Sequence, residues 1–132
     1  MPVLEVRVVL TTEDYDRLVT FYRDGLGLEP GDMWTHNGRG QLLDGGKGVV
    51  EILDTQNAAS VDEVEVGRAV SAQFRFAFQV PDVHVAVQNA LKYGATLVHE
   101  PVLTPWNDLN ARIESPDGLQ ITLFQVMQTA ST

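Results

Sequence analysis

Four stretches of the chain alternate apolar and polar residues with a period of two, the signature of strands whose two faces differ. Leu4, Val6, Val8 and Leu10 form an apolar row, with Glu5, Arg7, Val9 and Thr11 opposite. Phe74, Phe76, Phe78 and Val80 stand opposite Gln73, Arg75, Ala77 and Gln79, and Leu119, Ile121 and Leu123 opposite Gln120, Thr122 and Phe124. Val49 to Leu53 is apolar except for Glu51. Each strand thus offers a greasy face and a face with one central polar or charged group. A curved sheet with helices on the greasy side and a cavity on the other satisfies all of them.

Helical spacing appears between these strands. Thr11 to Asp14 supplies N-cap candidates and acidic first-turn residues, followed by Tyr15, Leu18, Val19, Phe21 and Tyr22 at helical intervals and by Gly25 and Gly27 as terminators. Pro81-Asp82 opens a second helix with Val83, Val87, Ala90 and Leu91 as its inner stripe, and Gly94 closes it. Leu28 to Trp34 and Gly40 to Leu43 read as strands around the turn His36-Asn37-Gly38. Thr96 to Leu103 and Asn110 to Glu114 precede the last strand, which is entered through the turn Ser115-Pro116-Asp117-Gly118.

The order strand, helix, three strands therefore occurs twice. Superposing the halves brings Arg7 near Arg75, Gly27 near Gly94, and Glu51 near Thr122. The predicted class is α+β: two βαβββ repeats forming an incomplete barrel, or cup, with helices outside. One domain over 1–132 is expected, with the first repeat at 1–53 and the second at 71–132. Residues 54–70 are polar, acidic and weakly patterned, and read as a connector between the halves with room for one loose turn.

Composition narrows the chemistry. A length of 132 residues suffices for one buried core, and 44% hydrophobic against 20% charged content is ordinary for a soluble protein. No apolar run approaches a membrane span, and Glu5 and Arg7 inside the first apolar run argue against a secretory leader, so cytoplasmic residence is the expectation. The absence of Cys removes disulfides, thiolate catalysis and Cys-bound zinc. A net charge of −9 argues against nucleic acid or an anionic membrane as partner.

Phe21-Tyr22 followed by Gly25-Leu26-Gly27-Leu28, and Ser115-Pro116-Asp117-Gly118 followed by an alternating strand, resemble the vicinal oxygen chelate superfamily, which groups glyoxalase I, extradiol dioxygenases and bleomycin-resistance proteins. Pro105-Trp106 is similar to a segment of the bleomycin-resistance branch. The resemblance implies four metal-ligand positions at strand centres, which fall on Arg7, Glu51, Arg75 and Thr122. Arginine has no lone pair to donate, and a neutral Thr is a poor substitute for a carboxylate, so no metal and no cofactor are expected. His36, His84 and His99 lie in a turn, in a helix and near a strand end, and are expected to be ordinary surface or packing residues.

What remains is a cup lined by Arg7, Glu51, Arg75 and Thr122, with Trp34 and Trp106 at its rim. Arginine forks grip acid groups and indoles stack on planar ligands, so the leading expectation is a metal-free protein that sequesters a planar or anionic small molecule. Two arginines against Glu51 leave an excess of about one positive charge, which an anion could neutralise, although Glu5 on the same face could do so instead. Two other readings stay open: a metal-independent enzyme with Glu51 as general base, and a divergent metal-dependent lyase or dioxygenase. Arg7, Glu51 and Arg75 could instead form a structural ion cluster. The resemblance also implies a homodimer, with the halves pairing either within one chain or between two.

Overall fold

The computed structural model describes residues 3–70 and 73–127. The outermost residues of the expected domain, and 71 and 72 at the start of its second repeat, lie outside them. The first repeat comprises β1 (Glu5–Thr12), α1 (Tyr15–Thr20) continued by a π-helical turn over Phe21–Gly25, β2 (Glu29–Trp34), β3 (Gly40–Asp44) and β4 (Val49–Asp54). The second comprises β5 (Phe74–Gln79), α3 (Val83–Lys92), β6 (Thr96–Leu103), β7 (Asp108–Glu114) and β8 (Gln120–Val126). Between them runs α2 (Thr55–Glu65).

All eight strands join one open sheet in the order β2-β3-β4-β1-β5-β8-β7-β6. In each repeat the first strand lies parallel to the fourth, β1 beside β4 and β5 beside β8. The halves meet where β1 pairs antiparallel with β5, placing Arg7 opposite Ala77 and Val9 opposite Arg75. The junction thus lies within the chain. This is the predicted cup of two βαβββ repeats, and the strand parities assigned from the sequence hold.

Helix α1 covers one flank of the convex side, packing Tyr15 and Val19 on Leu43 and Ile52. Helix α3 covers the other, with Val83 and Val87 against Val80, Ala111, Ile113 and Leu123. The Asp82 side chain caps α3 by accepting from the backbone N–H groups of His84 and Val85. Neither helix reaches the middle of the sheet. There Val6 pairs with Phe78, Val8 with Phe76 and Leu10 with Phe74, and the three phenylalanines pack edge-to-face and stacked along the strand. Val6 and Phe74 remain exposed. The greasy face is therefore covered at its edges and open along its centre.

The connector departs from expectation. Residues 55–65 form a regular helix, capped by the Asp54 side chain accepting from Asn57 N–H at 2.8 Å. It lies on the concave side, where Ala58 and Val61 pack on Val9, Leu53, Ala77 and Phe124. Its buried positions are Asn57, Ala58, Asp62 and Glu65, so the inward face has helical spacing but is mostly polar. Hydrophobic periodicity could not reveal it, because three of its four buried positions are polar, and Asp62 and Glu65 are held inward by Arg112 rather than by apolar contact. Among the described residues no helix is long and apolar enough to cross a membrane.

Candidate functional site

The concave face encloses a cavity of about 550 Å³. All six residues singled out from the sequence line it: Arg7, Trp34, Glu51, Arg75, Trp106 and Thr122. Apolar wall is added by Leu42, Val61, Val64 and Phe124. A cavity of this size, with a few convergent polar groups among apolar walls, suits a small organic molecule.

Arg7, from β1, donates to Glu5 on its own strand and to Glu51 Oε1 at 3.3 Å across the parallel pair β1–β4. Its guanidinium lies over the Phe124 ring, 4.9 Å from the centroid. Burial works against the Arg7 charge, but the hydrogen bond to Glu5 and the charges of Glu51 and Glu5 together outweigh it, leaving the guanidinium pKa above its ordinary value.

A second network, largely unforeseen, occupies the other end. Arg112 of β7 is fully buried and donates to Asp62 Oδ1 at 3.1 Å and to Glu65 Oε1 at 2.9 Å, both carboxylates delivered by α2. Thr122 sits at its hub, donating to Glu65 Oε1 at 2.8 Å while accepting from Arg112 Nε at 3.2 Å and from Arg75 Nη1 at 3.0 Å. One O–H donor and two lone pairs are thereby all engaged. Asn110 completes it by donating to Glu65 Oε2 at 3.0 Å.

Arg75 differs from its neighbours. It is 6% exposed and lines the cavity, yet among the described residues it has no carboxylate within 4.0 Å, and its recorded side-chain hydrogen bond goes to a neutral hydroxyl. Of its five N–H donors, those not pointing at Thr122 are open to an acceptor.

The expected positive excess does not hold. Arg7, Arg75 and Arg112 face Glu5, Glu51, Asp62, Glu65 and Asp108, so carboxylates outnumber arginines around the cup. Glu5 stands beside Arg7 on β1, and the further acids, Asp62, Glu65 and Asp108, arrive on α2 and β7, outside the four strands whose alternation carries the prediction. Asp108 is itself perturbed. Burial raises its carboxyl pKa, and the charge of Arg7 and the Trp106 indole N–H only partly counter that.

The tryptophans play different parts. Trp34 donates from Nε1 to Asn57 Oδ1 at 3.0 Å and packs with the α2 cluster, its ring lying flat against the backbone at Gly40. It is a wall that ties α2 to the sheet. Trp106 is 47% exposed at the mouth. Of the histidines, His36 reaches the rim, whereas His84 sits on α3 and His99 ends near the backbone oxygen of Glu100, both away from the cavity.

The fourfold constellation implied by the family resemblance is therefore assembled: Arg7, Glu51, Arg75 and Thr122 do face one space. Its donor set does not suit a divalent cation. Two guanidiniums project toward the position, and among the described residues no three His, Asp or Glu side chains come together as ligands would. Of the buried network around Arg112, Arg75 and Thr122 are legible from strand alternation, whereas Asp62, Glu65, Asn110 and Arg112 are not. Only the parity of Arg112 and Asn110 on their strand could have hinted at it.

Comparison with known proteins bears on this geometry. The family model described as glyoxalase/bleomycin resistance protein/dioxygenase superfamily matches residues 6–123. No curated protein matches the sequence. Among solved structures, methylmalonyl-CoA epimerase from Mycobacterium tuberculosis aligns with a TM-score of 0.68 at 17% identity, over 96% of this chain and 90% of that one. A hypothetical protein from Bacillus halodurans C-125 aligns at 0.68 and 16% identity, over 96% of each chain. A superfamily member from Vibrio splendidus 12B01 aligns at 0.64 and 16%, over 92% of this chain and 97% of that one. At such identities these structures are alike in fold alone.

Proposed function

Because the chain belongs to the glyoxalase/bleomycin resistance protein/dioxygenase superfamily, and because its cup is lined by side chains unsuited to the metal chemistry of that group, we propose that it is a metal-free small-molecule-binding protein of cytoplasmic residence that sequesters a planar compound. The observation that carries this reading is Arg75. A buried guanidinium without a carboxylate partner is expensive unless something else meets its donors, and the open side of its fork faces the cavity. An acid group or carbonyl of a ligand would meet them, while Phe124, Val61 and Trp106 offer flat apolar surface beside it.

The charge balance refines the ligand. A cavity bordered by more carboxylates than arginines favours a single acid group over a polyanion. The rival reading is enzymatic, with Glu51 moving a proton, and epimerases are among the similar folds. Turnover separates the two: a binding protein returns its ligand unchanged, whereas an enzyme would lose turnover but keep affinity in Glu51→Gln.

Thermal-shift screening of planar aromatic and carboxylate compounds is the direct test. Hits should raise the melting temperature of the wild type saturably and fail to do so in Arg75→Met. A screen without hits, or hits indifferent to Arg75→Met, would overturn the proposal.

The same reading includes a homodimer. The row of Val6, Val8 and Leu10 beside Phe78, Phe76 and Phe74 is contiguous and apolar, with Val6 and Phe74 exposed, lies on the side opposite the cup, and a second copy seated there would leave both cups open.

A further inference from the structure

Glu51 and Arg75 stand in one row across the cup. Both are level with Val9, Glu51 on β4 to one side of β1 and Arg75 on β5 to the other, so their backbones lie about 10 Å apart at ordinary strand spacing. Their side chains leave the same face of the sheet and line the cavity. The row continues through Leu42, which pairs with Glu51, to a bulge in β2 where Gly31 and Asp32 together oppose Leu42, and Asp32 also reaches the cavity.

Each of the two charges is half answered. Glu51 Oε1 accepts from Arg7 at 3.3 Å, while Oε2 has no hydrogen-bond partner among the described residues. Arg75 directs Nη1 to Thr122 and leaves Nε and Nη2 without a partner among them. These open atoms are reachable. Among the described residues the side-chain atoms that are both buried and unpartnered are Tyr15 Oη and Asn110 Oδ1, so those of Glu51 and Arg75 keep accessible surface. Charge is also divided along the row. On the Arg75 side Arg112 is answered by Asp62 and Glu65, whereas on the Glu51 side Arg7 faces two carboxylates, Glu5 and Glu51, with Asp32 beyond them. One end therefore holds a guanidinium open to an acid group, and the other an excess of negative charge.

We infer that the ligand is a small aminocarboxylic acid bound as a zwitterion, its carboxylate on Arg75, its ammonium on Glu51 Oε2 within the field of Asp32, and a ring between them. The inference rests on the small-molecule reading above and adds the ligand's second charged group. A plain monoacid leaves the negative end of the cup unanswered. A dianion meets repulsion there.

Calorimetric titration with 3- and 4-(aminomethyl)benzoate, each beside the ethylbenzoate of the same outline, tests this. Within each pair an ammonium replaces a methyl group, so shape and carboxylate are held constant. At least one zwitterion should bind about tenfold more tightly than its ethyl counterpart, the scale of one charge-assisted hydrogen bond. Glu51→Gln should erase that discrimination while sparing the ethylbenzoates, and Arg75→Met should abolish binding of all four. Parity within both pairs overturns the zwitterion inference while leaving the cup reading intact. So does discrimination that survives Glu51→Gln, the result a purely proton-moving Glu51 would give, and so does failure of all four probes when the thermal-shift screen has other hits. Failure of both, or binding that persists in Arg75→Met, removes the cup reading too. The paired comparison is made on the wild type, so it decides even if Glu51→Gln fails to fold.

Discussion

Arg112 and Glu65, separated by 47 residues of chain, meet at 2.9 Å where neither side chain is more than 2% exposed. The contact fastens a helix that looks like a connector to the floor of the cup. Removing one member of such a pair strands the other's charge in the interior, and the loss is far larger than the net worth of the pair itself. Arg112→Met should therefore destabilise the fold by about 3–5 kcal/mol, read from chemical denaturation. A loss under about 1 kcal/mol, the range of exposed pairs, would show that α2 is not held this way.

Gly40 and Trp34 make a second dependent pair. A Cβ at Gly40 would collide with the indole ring, which rests against that backbone. Gly40→Ala should cost about 1–3 kcal/mol through overpacking, and should cost much less when introduced into Trp34→Ala. Simple additivity in that double-mutant cycle would mean that the indole does not press on the strand.

Asp108 gives a pH signature. Its folded-state pKa is raised, chiefly by burial, so the native state holds the proton more tightly than the unfolded chain does. The stability this confers is fully present below the ordinary value of 3.8 and is lost as pH rises through the raised folded pKa. Asp108→Asn, which cannot ionise, should thus be more stable than wild type at pH 7, with the advantage vanishing below the ordinary carboxyl range. Melting temperatures of the two proteins across pH 3 to 8 would check it; equal curves at neutral pH would contradict the assignment.

The open apolar row is tested by charge. Val6→Glu together with Phe74→Glu should convert a dimer to a monomer in light scattering while leaving ligand affinity in the cup intact, since both residues are on the convex side. An unchanged mass would place any dimer contact elsewhere.

Much of the site was legible because strands report their own faces. The period of two puts Arg7, Glu51, Arg75 and Thr122 on the concave side, and each lines the cavity. Val83, Val87, Ala90 and Leu91 likewise announced the inner stripe of α3. Helix α2 was illegible for a specific reason. Asp62 and Glu65 are polar in sequence and buried in structure, and what buries them is Arg112, a residue nearly fifty positions away.

By itself, then, the sequence determined the two βαβββ repeats, the α+β class and the parity of Arg7, Glu51, Arg75 and Thr122, because these follow from local alternation and turn chemistry. Tertiary structure decided what the cup contains. Which carboxylate meets which arginine, and hence that Arg75 is left open while Arg112 is saturated, depends on how α2 docks across strands distant in the chain. Pairing between charges is set by distance in space, and no periodicity along the chain encodes it.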